Sequence, residues 1–407
     1  MMSQPPHELK TGRGLDALAL LCLVLIAASL RPAATSLGPV LAEVQSEFAL
    51  HEWQVGLLTA LPGVCFAAFG LVAIPLLRRL GLFTTLALSC VLIGAGILVR
   101  ALVGDWTGFA LLTVLALIGM AVGNVVLPVY VKARFPERGQ LGSTVFTVSL
   151  GLGAMFPSLF TAPLAQDFST WRVGLGAWAL IPVAGLVVWI VLRAAHSVPV
   201  VGASATSAPE SQAPRRHIFT SSKARFMAMF FGLQSVNAYV QFGWLPQIYR
   251  DAGLDPVLAG VMMTIVTFGG IPGGFIAPQI IARGILPRTI VASFAVAGVL
   301  GYLGLLAMPA TLPALWAALL SYAGFAFPAA LALITARTRA VSVTARTSAF
   351  VQPIGYVLAA VCPLVVGGLL GLSGGWTVPL LFMIGVCVLM GITGVIAAAP
   401  GSVDDEL

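Results

Sequence analysis

Charged residues are scarce in this chain. Asp, Glu, Lys and Arg together make up 9% of its 407 residues, whereas hydrophobic residues make up 59%. An average soluble domain carries about 25% charged residues. The composition therefore excludes an ordinary soluble enzyme, and it equally excludes a disordered chain, a collagen and a disulfide scaffold. At about 20 apolar residues for each membrane-spanning helix, the chain has room for about a dozen such helices.

Paired cysteines and catalytic motifs are also lacking. The five cysteines lie inside apolar runs, and none belongs to a CxxC pair: Cys22, Cys65, Cys90, Cys362 and Cys387. Neither a disulfide framework nor a metal site follows from such a pattern. The sequence has no Walker loop, no HExxH and no GxSxG, so we expect no enzyme activity and no cofactor.

What the chain does contain is a series of twelve apolar stretches. The first six lie at about 16–42, 54–77, 83–103, 107–131, 141–164 and 173–194, and the second six at about 225–249, 256–282, 288–308, 312–336, 346–371 and 376–398. The segment between the two sets is rich in Ser, Ala and Pro, as flexible linkers are. We therefore predict an all-α membrane protein with 12 transmembrane helices. Its parts are an N-terminal six-helix bundle (1–194), a cytoplasmic linker (195–223) and a C-terminal six-helix bundle with a short tail (224–407).

The distribution of basic residues predicts the orientation. With the N-terminus in the cytoplasm, seventeen Lys and Arg residues fall on the cytoplasmic side, and only Arg100, Arg172 and Arg250 fall outside. The positive-inside rule then places both termini in the cytoplasm. The net charge of +7 is thus a topology signal, and we expect no nucleic-acid partner. We expect a multi-pass monomer in the lipid bilayer of a bacterial inner membrane.

The two halves repeat each other. An offset of 204 residues pairs Gly56 with Gly260, and an offset of 205 pairs Trp171 with Trp376. Because each half has an even number of spans, the two repeats are predicted to run parallel. Parallel six-helix repeats with a binding site at their interface are typical of secondary transporters.

Four segments resemble a known family. They read SLRPAATSLGPVLAEV (29–44), QVGLLTALPGV (54–64), VLPVYVKARFPER (126–138) and FGWLPQIY (242–249). The chain resembles the major facilitator superfamily and, within it, the cyanate and nitroimidazole porter branch. The resemblance implies transport by alternating access, with a cyanate-like anion or a small nitroaromatic as substrate. It departs from the superfamily in the loop after the second span, where IPLLRRLG (74–81) keeps two arginines but lacks the usual Asp.

Arg31 is the most informative single residue, because it lies about midway through the first span. A charge at such a depth costs on the order of 2.5–3.5 kcal/mol on insertion scales. It could reach an interface or pair with a carboxylate, but about a dozen residues separate it from either end, and no Asp or Glu lies deep in any span. A guanidinium offers a planar fork of donors to anions, so we predict that Arg31 is the main substrate ligand. Pro32 would weaken the helix there, which is tolerated where backbone lines a cavity.

Other polar side chains are predicted to complete the site. On the seventh span, Gln234, Asn237 and Gln241 follow helical spacing and share one stripe; hydrogen bonding between helices is the alternative. The remaining candidates are Thr35, Asn124, Tyr130, Tyr322, Gln352 and Tyr356, followed by Lys132, Phe146, Phe231, Phe242, Trp244 and Phe350. For Thr35 the alternative is a bond to its own helix, and for Lys132 it is an ordinary cytoplasmic charge.

Titratable groups are missing from the predicted path. All four histidines lie outside the spans, whereas proton-driven transporters place a titratable group along the route. Facilitated diffusion, anion exchange and symport with a proton brought by the substrate stay open. Glu43, at the outer end of the first span, could carry a proton or be a solvated charge.

We expect a transporter of a small, cyanate-like anion. An efflux porter for neutral drugs such as nitroimidazoles and a transporter-like solute sensor are the alternatives.

Overall fold

The structure is a computed structural model that describes residues 12–135, 139–195, 217–285 and 287–407. Every regular element within those ranges is an α-helix or a 3₁₀ helix. The helices of the first half are α1 (Arg13–Ser29), α2 (Pro32–Thr35), α3 (Leu41–Glu47), α4 (Glu52–Arg100), α5 (Trp106–Arg134), α6 (Gly139–Asp167), α7 (Trp171–Gly176) and α8 (Leu180–Ala194). Those of the second half are α9 (Ser222–Asp251), α10 (Pro256–Phe268), α11 (Gly270–Ala282), α12 (Pro287–Ala307), α13 (Pro313–Ala323), α14 (Ala326–Ala336), α15 (Val341–Ser373) and α16 (Thr377–Ala397).

Ten helical stretches in the described residues are long and apolar enough to cross a membrane. One of them, α4, contains Gly81 with φ 76° and ψ 168°. This left-handed conformation favours glycine, and it separates two helices close to the predicted boundary at 77–83. The 30-residue α9 is not among the ten, because its polar side chains lower its hydropathy. The count of twelve spans stays a prediction, and most of the predicted linker (196–216) lies outside the described residues.

The first span is broken at Arg31. Helix α1 ends at Ser29, α2 begins at Pro32, and Arg31 between them has φ −131° and ψ −30°. Proline has no backbone N–H to donate, and it disfavours helical geometry in the residue before it. The predicted weakening of the helix at Pro32 is therefore confirmed as a local break.

Helices α1 and α9 run in the same direction, because both lead towards the same face of the molecule. The segment that follows α1 meets the C-terminal part of α9 there. A Cβ on Gly38 would lie 2.4 Å from the carbonyl oxygen of Phe242, and Glu43 pairs with Arg250 at 2.8 Å. We call the face that holds the first residues of α1 and α9 the terminal face, and the opposite one the distal face.

The two halves are tightly packed near the distal face. On α4, a Cβ on Gly63 would lie 2.7 Å from the backbone nitrogen of Ala360 on α15. Seven residues closer to the terminal face, a Cβ on Gly70 would meet nothing within 4 Å. Helices α4 and α15 thus touch distally and diverge towards the terminal face. On the other side, α6 and α11 stay in contact, since a Cβ on Gly274 would lie 2.7 Å from Thr147.

The contacts between the halves reproduce the sequence repeat. A Cβ on Gly56 would lie 3.2 Å from the carbonyl oxygen of Pro363, and one on Gly260 would lie 2.8 Å from that of Ser158. Gly56 and Gly260 differ by 204 residues, and Ser158 and Pro363 by 205. In each half, therefore, a glycine contacts a carbonyl oxygen of the other half, and the two contacts lie at matching positions of the repeat, as expected for parallel repeats.

The C-terminal tail folds back onto the second half. Residues Val403–Glu406 form a 3₁₀ helix, and the Asp404 carboxylate accepts hydrogen bonds from the backbone amides of Arg339 at 2.8 Å and Ala340 at 3.0 Å. Burial opposes the charged form of Asp404, but these bonds and one from the Ser402 hydroxyl outweigh it and hold its pKa below the usual value. The tail thereby caps the N-terminus of α15.

Candidate functional site

Arg31 projects from the break in the first span into the region between the halves. The residue is half-buried, and its guanidinium carbon lies 5.9 Å from the centre of the Phe66 ring. Within the described part of the chain, the guanidinium forms neither a hydrogen bond nor an ion pair with a side chain. A cation of this kind keeps its donors available for a ligand.

Aromatic rings from both halves surround this cation. The Tyr356 ring lies 5.6 Å from Phe66 and 5.4 Å, edge-on, from Phe231. Arg31 acts electrostatically on Tyr356 and Tyr239, so both phenols belong to the surroundings of this charge. We call these five residues, Arg31, Phe66, Phe231, Tyr239 and Tyr356, the aromatic site.

The position of the aromatic site follows from the packing of α4 and α15. Phe66 is about one turn from Gly63, and Tyr356 is about one turn from Ala360, in each case towards the terminal face. The site therefore lies directly beneath the distal contact, where the halves begin to diverge. This is the interface position that parallel repeats use for binding.

A second arginine is fully buried near the same break. Arg100 has 0% exposure; its Nη1 donates to the Ala33 carbonyl at 3.1 Å, and its Nη2 donates to the Ser36 hydroxyl at 3.2 Å. Helix α4 ends at Arg100 on the distal face, opposite the face that holds the N-terminus, but the side chain is buried and not solvated. The guanidinium instead satisfies backbone and hydroxyl oxygens that the irregular segment after Arg31 exposes.

Acidic partners lie elsewhere. The ion pairs seen in the described ranges are Arg134–Asp16, Arg172–Glu47, Arg250–Glu43 and Arg339–Asp405. Each acid belongs to a helix end or to the tail. No carboxylate in those ranges pairs with Arg31 or Arg100, so neither positive charge is compensated there by an ion pair.

The comparisons with known proteins agree with this architecture. Residues 21–363 match the sequence model of the Major Facilitator Superfamily. The chain belongs to the major facilitator superfamily. It is therefore a membrane transporter.

Three bacterial relatives match over most of this transporter. An uncharacterized transporter, YycB of Bacillus subtilis, is 32% identical over 91% of either chain. A 2-nitroimidazole transporter of Escherichia coli is 30% identical, covering 92% of this chain and 94% of its own. The cyanate transport protein CynX of Escherichia coli is 28% identical, covering 91% of this chain and 95% of its own. The resemblance to the cyanate and nitroimidazole porters is thus confirmed.

Solved structures show the same fold at low sequence identity. A bacterial homolog of the human lysosomal transporter Spinster, in an inward-facing and unoccupied conformation, matches with a TM-score of 0.73 at 16% identity. It covers 95% of this chain and 97% of its own. The nucleoside transporter NupG matches with a TM-score of 0.72 at 12% identity, over 93% of this chain and 98% of its own.

The polar side chains of the stripe on α9 are buried, and their hydrogen bonds go to other residues of the second half. Gln241 Nε2 donates to Asn237 Oδ1 at 2.9 Å and to the Tyr302 hydroxyl at 3.3 Å, and that hydroxyl donates to Asn237 Oδ1 at 2.5 Å. Gln234 donates to the Phe231 carbonyl on its own helix at 2.9 Å. The bonds of Gln241 and Asn237 to Tyr302 fit the alternative interpretation of hydrogen bonding between helices, because they join α9 to α12.

Two predicted site residues, Tyr130 and Trp244, lie in packed regions away from the aromatic site, whereas Tyr322 is exposed. The Tyr130 hydroxyl donates to the Ala19 carbonyl at 3.4 Å, and Ala19 precedes Arg31 by about 18 Å along a helix axis. Trp244 is 1% exposed and packs edge-on against Trp376 near the distal face. The Tyr322 hydroxyl shares a hydrogen bond of 2.8 Å with Ser293.

The other polar candidates have mixed surroundings. The Thr35 hydroxyl donates to the Arg31 carbonyl at 3.2 Å, which is the bond that its alternative interpretation specified. Gln352 donates to the Ser348 hydroxyl at 2.6 Å. Asn124 is half-buried on α5, and its amide has no hydrogen-bond partner in the described ranges.

The last candidates are one lysine and three phenylalanines. Lys132 is exposed near the terminal-face end of α5, while Phe146 and Phe350 are half-buried and pack against the cores of their halves. Phe242 lies 6.0 Å from Tyr239 and lines a small cavity above the aromatic site.

The sequence did not identify Phe66 and Tyr239 as residues of the aromatic site, or Arg100 as a buried residue near the break in the first span. Phe66 is one phenylalanine among 22, so nothing in the sequence sets it apart. Tyr239 could have been found, because it lies inside the polar stretch of α9, one of only six tyrosines in the chain. For Arg100 the signal was that it directly ends a long apolar run. Searched over the described residues, the transporter has no cluster of His, Cys, Asp and Glu that could hold a metal ion.

Proposed function

We propose that this transporter moves a small anion or an electronegative polar solute by alternating access, with Arg31 as its main substrate ligand. The observation that supports this most is the guanidinium of Arg31 at the interface of the two halves, which has no hydrogen-bond or ion-pair partner among the described residues. A permanent charge in the membrane interior is costly, and a site that binds an anion gives that charge a function. Tyr356 and Tyr239 have hydroxyl groups without hydrogen-bond partners in the described ranges, so they can donate to the same ligand.

Twelve spans in two six-helix halves, at residues 1–194 and 224–407, are the architecture that we propose for this cycle. The excess of basic residues supports an orientation in which the terminal face lies on the cytoplasmic side of a bacterial inner membrane. The distal contact is then the closed external side, and the gap between α4 and α15 opens towards the cytoplasm. We expect the transporter to act as a monomer without a cofactor.

The surroundings of Arg31 favour a small planar ligand. A guanidinium can donate two parallel hydrogen bonds to one ligand, and that of Arg31 lies 5.9 Å from the centre of the Phe66 ring, within cation–π range. The neighbouring rings of Phe66, Phe231 and Tyr356 offer flat apolar surfaces to such a ligand. An anion of the size of cyanate, the solute named for a relative of 28% identity, fits this chemistry.

Coupling to protons has little support from the residues around Arg31. Glu43, the acid that the sequence offered as a proton carrier, accepts two hydrogen bonds of 2.8 Å from Arg250 across the distal contact. Its position joins the halves where they are closed and does not border the aromatic site. We therefore favour uniport, anion exchange or symport of a proton on the substrate.

Efflux of small neutral nitroaromatics is the second candidate. The aromatic walls favour it, since planar rings stack on such side chains, and a relative of 30% identity is a 2-nitroimidazole transporter. A nitro group would offer Arg31 its two oxygens, so both candidates use the same cation.

Transport into proteoliposomes tests the proposal. Uptake of labelled cyanate and of 2-nitroimidazole is measured for the wild type, Arg31→Ala, Arg31→Lys and Arg193→Ala. Arg193 is the matched control, because it also lies over a phenylalanine ring, Phe83, at 5.4 Å, but at the end of α8. We expect Arg31→Ala to abolish uptake and Arg193→Ala to preserve it. Equal uptake by both variants would overturn the proposal, and accumulation without any partner protein would exclude a sensor.

A further inference from the structure

Arg100 has chemistry that the proposed role of Arg31 does not explain. Its side chain is completely buried, yet no carboxylate in the described ranges pairs with it, and its Nε has no hydrogen-bond partner there. Its other nitrogens contact only neutral groups, namely the Ala33 carbonyl, the Ser36 hydroxyl and, at 3.5 Å, the Thr113 hydroxyl. Arginine stays protonated in proteins, so a full positive charge is fixed at this point.

The location of this charge connects it to the substrate path. Ala33 and Thr113, which both bond to Arg100, also line the small cavity between the distal contact and the aromatic site, together with Ala34 and Tyr239. Arg100 therefore lies behind the wall of the path on its distal side, whereas Arg31 lies in the path itself.

We propose that Arg100 is a specificity-determining residue, whose uncompensated charge makes the distal part of the path selective for anions. This inference rests on the proposed anion path through Arg31. In a protein interior that screens charge poorly, a unit charge about 10 Å away changes the local ratio of anions to cations by about tenfold or more. Its hydrogen bonds to Ala33 and Ser36 keep that charge beside the broken segment of the first span.

The local potential can be measured without knowing the substrate. Ala34→Cys, in a background in which the five native cysteines are replaced by alanine, places a thiol on the cavity wall. It is labelled with an anionic sulfonatoethyl methanethiosulfonate and with its cationic trimethylammonium counterpart. The ratio of the two labelling rates reports the sign and strength of the potential. Leu372→Cys, 89% exposed at the distal end of α15, is the control thiol.

We expect Arg100→Met to lower the anionic-to-cationic ratio at Ala34→Cys by about tenfold and Arg100→Lys to keep it within about twofold. Ser36→Ala removes one hydrogen bond but no charge, so the ratio should stay unchanged. If Arg100→Met does not fold, Thr113→Asp tests the same point, because it places a carboxylate next to an intact Arg100 and should lower the ratio several-fold.

A ratio that neither Arg100→Met nor Thr113→Asp changes would overturn the inference, as would an equal drop at Leu372→Cys. The result is independent of uptake. If wild-type vesicles take up neither cyanate nor 2-nitroimidazole, the proposed function fails, while the labelling ratio still decides the role of Arg100.

Discussion

Gly63 provides a direct test of how the two halves close. In the structure a Cβ at this position would lie 2.7 Å from the Ala360 nitrogen, 2.8 Å from its Cα and 2.9 Å from the Ala359 carbonyl carbon. All three atoms belong to backbone, so they cannot move aside as a flexible side chain would. Gly63→Ala should therefore penalise the distal-closed conformation and leave the distal-open one unaffected.

The magnitude follows from overpacking, which costs about 1–3 kcal/mol. A penalty of about 2 kcal/mol shifts the ratio of closed to open conformations by about 30-fold. Helix propensity favours alanine over glycine by about 1 kcal/mol, but this gain applies to both conformations. Gly70→Ala, on the same helix with nothing within 4 Å of its Cβ, has the same propensity gain and serves as the control.

The assay is pulsed electron–electron resonance between spin labels on opposite halves of the distal face. Leu102 and Leu372 are suitable positions, because they are 73% and 89% exposed and lie near the distal ends of α4 and α15. Gly63→Ala should move the distance distribution to longer values, whereas Gly70→Ala should not. Identical distributions in the wild type and Gly63→Ala would refute the assignment of this contact as the point of closure.

Three further changes probe other parts of the molecule. Tyr302→Phe removes the hydroxyl that bonds Asn237 at 2.5 Å; it should cost about 1 kcal/mol of stability, seen as a lower Tm, with the KM for cyanate unchanged. Glu43→Gln removes the charge that pairs with Arg250 between the halves. Because the pair is partly exposed, we expect the ratio of distal-open to distal-closed conformations, read from the label distances, to rise by at most a few-fold. Asp404→Asn should lower Tm at neutral pH. Since the pKa of Asp404 is held below its ordinary value of 3.8, its stabilisation is present above that value and is lost as the pH falls through the lowered pKa. The Tm difference from the wild type should therefore shrink below about pH 4.

The helical architecture could be predicted from the sequence because apolar runs and their interruptions report it directly. The break at Pro32, the span boundary at 77–83 and the parallel repeat were visible as local chemistry, an interrupted apolar run and a fixed offset. Arg31 stood out for the same reason, since a charge in an apolar run is conspicuous whatever its neighbours are.

The composition of the site was harder to predict because it depends on how each span is rotated. In a membrane, side chains that face lipid and those that face other helices are both apolar, so periodicity does not distinguish them. Tyr356 and Phe66 meet through the packing of α4 on α15, whereas Tyr130, an equally polar aromatic, is turned into the core of its own half. Likewise the sequence predicts a shared stripe of amides on α9, but the Tyr302 hydroxyl that bonds Asn237 and Gln241 comes from α12.

Equilibrium binding to the purified transporter tests the central claim most directly, because it separates the role of Arg31 as a ligand from all later steps of transport. Isothermal titration with cyanate and with 2-nitroimidazole is compared between the wild type, Arg31→Ala and the control Arg193→Ala. Loss of a bidentate, charge-assisted contact worth about 3 kcal/mol predicts a Kd about 100-fold weaker for Arg31→Ala and an unchanged Kd for Arg193→Ala. An Arg31→Ala variant that is folded and binds its substrate as tightly as the wild type would contradict the account.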